Sequence, residues 1–132
     1  MSGLVAAGLV EVALGAVLGF PYALAVEGSP ASKWLLAVLR INHPRRLRQL
    51  HLDLIIMGIL LVAAGTAVPD MPIAAALAVG IGGWTNALLF APLMVNEDVQ
   101  RTSLFRALTA ASFVAVSSGW VAIAAVALSR LF

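Results

Sequence analysis

Four apolar runs divide the chain, at residues 4–26, 50–68, 73–95 and 104–128, with short polar stretches between them. A helix needs about 20 apolar residues to cross the hydrocarbon of a bilayer. Each run reaches that length, the second only barely, so the pattern predicts an all-α fold: one domain, an integral membrane four-helix bundle with short loops. The exception is the connection at residues 27–49. It opens with the turn residues Gly28, Ser29 and Pro30, and its apolar part, 34–41, is too short to span and is bounded by Lys33 and Arg40. This suits a helix lying in the interface, ended by His43 and Pro44. Pro69, Asp70, Met71 and Pro72 form a tight turn between the second and third spans, and Asn96, Glu97 and Asp98 close the third.

Polar and small residues inside the runs mark the faces that meet protein. Gly8, Glu11, Gly15 and Gly19 recur every three or four residues and share one face of the first helix, with Gly15 and Gly19 as a small-xxx-small contact. Pro21 predicts a kink. The third run holds G-I-G-G-W-T-N at 80–86, and the fourth holds Ser112, Ser117, Ser118 and Gly119, again small residues suited to close packing. Asn86, deep in the third span, needs a partner on another helix or a place in a pocket. His51 and Asp53 occupy the first turn of the second.

Composition sharpens the class. With 62% apolar and 11% charged residues and a mean hydropathy of +1.04, the chain lies outside the globular range. The eight basic residues are placed as topology signals, not as a surface for nucleic acid: Lys33, Arg40, Arg45, Arg46, Arg48, Arg101 and Arg106 flank one side of the spans and only Arg130 the other. The positive-inside rule then puts both termini outside a bacterial inner (cytoplasmic) membrane and His51 near the cytoplasmic surface. Nothing basic precedes the first run, which reads as a retained helix rather than a signal peptide. The chain has no cysteine, which excludes disulfides, Fe–S clusters and covalently attached haem, and leaves His, carboxylate or Met as metal ligands. The glycine cluster at 80–83 follows no strand and is not a dinucleotide fingerprint. No hydrolytic triad, multi-ligand zinc site or glycosidase carboxylate pair is present.

Two residues have both a structural and a chemical reading. His51 either marks the headgroup level beside the arginines or, with Gly58 seven residues on along the same face, ligates the iron of a flat cofactor. Glu11 is either a helix-packing residue or a proton or cation site. In the second case the chain looks similar to small multidrug-resistance transporters, which exchange protons for cations on a carboxylate in the first of four helices.

His51 and Gly58 at the start of the second span, followed by Gly83, Trp84, Thr85 and Asn86 in the third, resemble the pattern of the bacterial styrene-oxide isomerase family over roughly residues 48–95. The resemblance implies a homotrimer in membrane lipid that binds haem b between subunits. His51 would be the iron ligand, with Gly58 and Trp84 at the cofactor. It further implies that ferric iron acts as a Lewis acid on the oxygen of an aryl epoxide, whose ring opens to a benzylic cation and gives an aldehyde by hydride shift. The pocket residues would be Asn86, Met57 and Phe90. The family carries asparagine and tyrosine at the last two positions, so this chain lacks two substrate-placing hydrogen-bonding groups; Met57 either fills space or becomes a second axial ligand.

Overall fold

The computed structural model describes residues 3–131. In chain order the helices are α1 (Gly3–Glu27), α2 (Pro30–Val38), α3 (Pro44–Ala67), α4 (Ile73–Leu88), α5 (Phe90–Val95) and α6 (Ser103–Ser129), with a 3-10 turn at Glu97–Arg101 before α6. No strand occurs among the described residues. α1, α3, the α4–α5 pair and α6 are each long and apolar enough to cross a membrane. The chain is an all-α, multi-pass membrane protein.

Local signals set the boundaries. α1 continues through Pro21 and stops where Gly28 adopts a left-handed φ of 69° and its N–H closes on Leu24 O, the usual glycine C-terminus. Ser29 caps α2 by accepting a hydrogen bond from the Ser32 N–H, with Pro30 in the first turn. α2 therefore starts earlier than the apolar stretch at 34–41 suggests, and it ends sooner, where Arg40 takes a φ of 56°. Pro44 does not terminate that helix; it opens α3, because proline's fixed φ and missing N–H suit a first helical position. Arg45, Arg46 and Arg48 thus lie on the first turns of α3 instead of in a loop, and His51 is well inside the helix.

The third span is also altered. It breaks at Leu89, three residues before Pro92, whose ring cannot coexist with a regular bond to the Leu88 carbonyl. The break lets α5 lean on α3 while α4 stays against α6.

Glycine sets the two closest crossings. A Cβ on Gly58 would lie 2.6 Å from the Gly8 carbonyl oxygen and 2.8 Å from Val12 N, and one on Gly8 would lie 2.5 Å from Gly58 O, so α1 and α3 touch backbone to backbone. α4 and α6 cross similarly, Gly82 against the Val116 backbone and Gly119 against Val79. The Ser112 hydroxyl seals this second crossing by donating to Gly82 O at 2.8 Å, fully inside the protein. Between the two pairs lies a core of Leu61, Ala64, Val68, Ala75, Val79 and Ile123. The helices form an open row in the order α1, α3, α4, α6, in which α6 has no extensive contact with α1. Phe20, Ile73, Val114 and Val121 are among the apolar side chains left on the outside, as a lipid-facing surface requires.

Candidate functional site

His51 projects from α3 onto α1. Its Nδ1 lies 2.7 Å from the carbonyl oxygen of Gly15. A carbonyl only accepts, so Nδ1 carries the proton, and in the neutral imidazole Nε2 keeps its lone pair. The Tyr22 ring lies nearly parallel to the imidazole, with centroids 5.9 Å apart and planes at 23°. Gly19 leaves the ring edge uncrowded: a Cβ there would approach His51 Cε1 to 3.2 Å. The ring is half-buried, and Nε2 forms no hydrogen bond with any described residue. This is the arrangement that metal-binding histidines show, one nitrogen fixed by a backbone carbonyl and the other offered outward. Among the described residues no three His, Cys, Asp or Glu side chains converge, so the donor set here is a single imidazole, suited to a cofactor that brings its own equatorial ligands.

Gly58 shares the α1-facing side of α3 with His51, in keeping with their spacing. The close backbone approach that it permits is already taken, by Gly8 and Val12 of α1; within one subunit that surface is a helix crossing and not a floor for a flat ligand. Trp84 is also placed elsewhere. It borders a cleft of about 610 Å³ between α1 and α4, together with Leu4, Ala7, Gly80, Thr85 and Leu88. Its neighbour Thr85 returns its hydroxyl to Ile81 O at 2.7 Å.

Asn86 and Phe90 do come together, in a smaller cavity of about 220 Å³ that they line with Asp53, Phe105, Thr109 and Phe113. Asp53 follows His51 by two residues, about 200° around the helix, so this cavity lies across α3 from the imidazole. Met57 does not line it and faces α4 at Gly83, where a glycine Cβ would sit 3.9 Å from Met57 Cβ. One subunit therefore does not gather His51, Asn86, Phe90 and Met57 around a single space.

Glu11 is completely buried, and neither carboxyl oxygen has a hydrogen-bond partner. Gly8 and Gly15 on either side of it pack against α3. Leu4 and Leu18, seven residues before and after, reach Gly80 and the cluster containing Ala87, which points Glu11 into the groove between α3 and α4. The opposite end of the molecule is polar and well paired. Arg46 Nε donates to Glu97 Oε1 at 2.6 Å, and this bond holds the Glu97 carboxyl below its ordinary value. His43 Nδ1 lies 3.9 Å from Glu97 Oε2. The Asn42 and His43 N–H groups both donate to Met94 O, tying the start of α3 to the end of α5.

Sequence spacing singled out His51 as a candidate but not the residues around it. The face carrying Gly15 and Gly19 was legible as a packing surface; that a Gly15 carbonyl orients the imidazole has no side-chain signature. Tyr22, Phe105, Thr109 and Phe113 lie on other helices and carry no local signal.

Comparison with known protein families, curated proteins and solved structures finds no match to this chain.

Proposed function

We propose that the chain is a haem b-binding protein of a bacterial cytoplasmic membrane, similar in kind to the styrene-oxide isomerases, in which His51 would hold the iron. The observation that carries this reading is the hydrogen bond from His51 Nδ1 to Gly15 O, which presents Nε2 as an unengaged donor on a half-buried ring. Haem b, when bound, supplies a ferric Lewis acid for the oxygen of a hydrophobic epoxide. The chain's own part is to fix the imidazole tautomer through Gly15, restrain the ring against Tyr22 and keep water away with apolar helices. Asn86 and His51 lie on opposite sides of α3, so a substrate meeting both is enclosed only between copies of the chain. This is where the homotrimer enters the proposal. Met57 and Phe90 replace two hydrogen-bonding groups, so haem binding is the firmer half of the reading and epoxide isomerisation the second. The basic flank formed by Arg45, Arg46, Arg48, Arg101 and Arg106 supports the orientation with both termini outside.

Purified protein is expected to show a Soret band that His51→Ala abolishes. Protein that stays colourless after haem is supplied overturns the reading. Incubation of the coloured protein with styrene oxide then separates an isomerase, which yields phenylacetaldehyde, from a haem protein with a redox or sensing role.

The buried, unpartnered Glu11 carboxyl supports a second reading, a small proton-coupled cation exporter. A Glu11→Gln variant that exports as well as the unaltered protein removes it.

A further inference from the structure

The cavity of about 220 Å³ between α3, the α4–α5 break and α6 has a composition that helix packing does not explain. Asp53 lines it and forms neither a hydrogen bond nor an ion pair with any described residue; the ion pairs among the described residues are those of His43, Arg46, Arg101 and Arg130. Asn86 lines it too, and its side-chain amide has no hydrogen-bond partner among the described residues. Three phenyl rings line it, Phe90 and Phe105 half-buried and Phe113 at the exposed rim, and no lysine or arginine is among the lining residues. An apolar ligand would be met by a carboxylate that it cannot satisfy, and an anion would be repelled. A carboxylate beside several aromatic rings is an environment that attracts an organic ammonium, through charge pairing and, where a ring turns its face to the cation, through the negative face of that ring. The Asn86 carbonyl and the Thr109 hydroxyl oxygen are available as acceptors for ammonium N–H groups, although Thr109 also donates its own proton to Phe105 O.

We infer that this cavity is a binding site for a small organic ammonium ion, with Asp53 as its counter-ion and Phe90, Phe105 and Phe113 as its aromatic walls. Drug-sized ligands occupy cavities of about 300–1,000 Å³, so this smaller, half-open site suits an ammonium head with one ring or a short chain. The break at Leu89, forced by Pro92, brings Phe90 into the cavity by offsetting α5 from α4. The site lies across α3 from His51 and does not depend on haem.

The test is equilibrium dialysis of the purified full-length protein with benzylammonium and with its neutral isostere benzyl alcohol. Saturable binding of benzylammonium is expected, with benzyl alcohol at least about tenfold weaker. Asp53→Asn is expected to lose at least about tenfold in affinity, Asp53→Glu to recover part of it, and Phe105→Leu to weaken binding severalfold. His51→Ala binds benzylammonium as the unaltered protein does, which separates this inference from the haem reading. Helical content and elution volume of each variant identify one that fails to fold, and Phe105→Leu, which leaves all charges in place, then carries the test. Absence of saturable benzylammonium binding, equal binding of benzyl alcohol, or folded Asp53→Asn and Phe105→Leu variants with unchanged affinity would each overturn the assignment.

Discussion

His51 of α3 and Gly15 of α1 are joined by a hydrogen bond of 2.7 Å from imidazole Nδ1 to a main-chain carbonyl. The acceptor belongs to the backbone, so no substitution at position 15 removes it without disturbing the helix crossing as well. The accessible variable is the ring that stacks on the imidazole. Tyr22→Leu keeps the His51 bond but loosens the ring, and it is expected to weaken haem retention by about tenfold, within the range for outer-sphere partners of metal-binding histidines. Haem loss to an apoprotein acceptor, followed by absorption, measures it; unchanged retention would show that stacking does not hold the ring.

Gly58→Ala places a methyl carbon against the Gly8 carbonyl and Val12 N. Backbone cannot yield as a side chain does, so the substitution should cost about 1–3 kcal/mol. Gly83→Ala is the control, since the added carbon would meet only Met57 Cβ at 3.9 Å and Leu61 Cδ2 at 4.0 Å. Thermal unfolding in detergent should separate the two variants clearly, and equal midpoints would contradict the tight crossing.

The four spans and the choice of packing faces were legible because hydrophobic period and small-residue spacing are local properties. The start of α3 was not: the arginines at 45, 46 and 48 read as a loop, whereas Pro44 makes them the first turns of a helix. Nor was the arrangement of the site. His51 and Gly58 both face α1, at the Gly15 carbonyl and at the Gly8–Val12 backbone, whereas Trp84 borders the α1–α4 cleft. Order along a sequence does not say which side of a helix a third helix will cover.

Arg46 keeps the Glu97 carboxyl acidic, and this makes part of the stability depend on pH. A carboxylate whose folded-state value is depressed contributes fully above its unfolded value of 4.5, and the contribution disappears as pH falls through the lower folded value. The melting-temperature gap between the unaltered protein and Glu97→Gln should therefore be widest near neutrality and close in acid. Because the pair is partly exposed, added salt should narrow it too. A gap that persists at low pH would mean that the glutamate acts through packing instead.

Glu11→Met replaces a buried carboxyl that has no partner with a flexible apolar side chain. The expected result is a gain of about 1 kcal/mol or more, read as a rise in the thermal midpoint. A fall would reveal a partner that the carboxyl needs.

The open order of the helices divides the bundle into two hairpins. α1 with α3, and α4 with α6, each close over a glycine crossing, and the turn at Pro69–Pro72 is the only covalent link between them. Each pair can enter the bilayer as a finished unit, the second docking along α3 after the first is in place. A chain divided at that turn should yield two fragments that find each other again in the membrane, and His51 with its orienting carbonyl would travel entirely with the first.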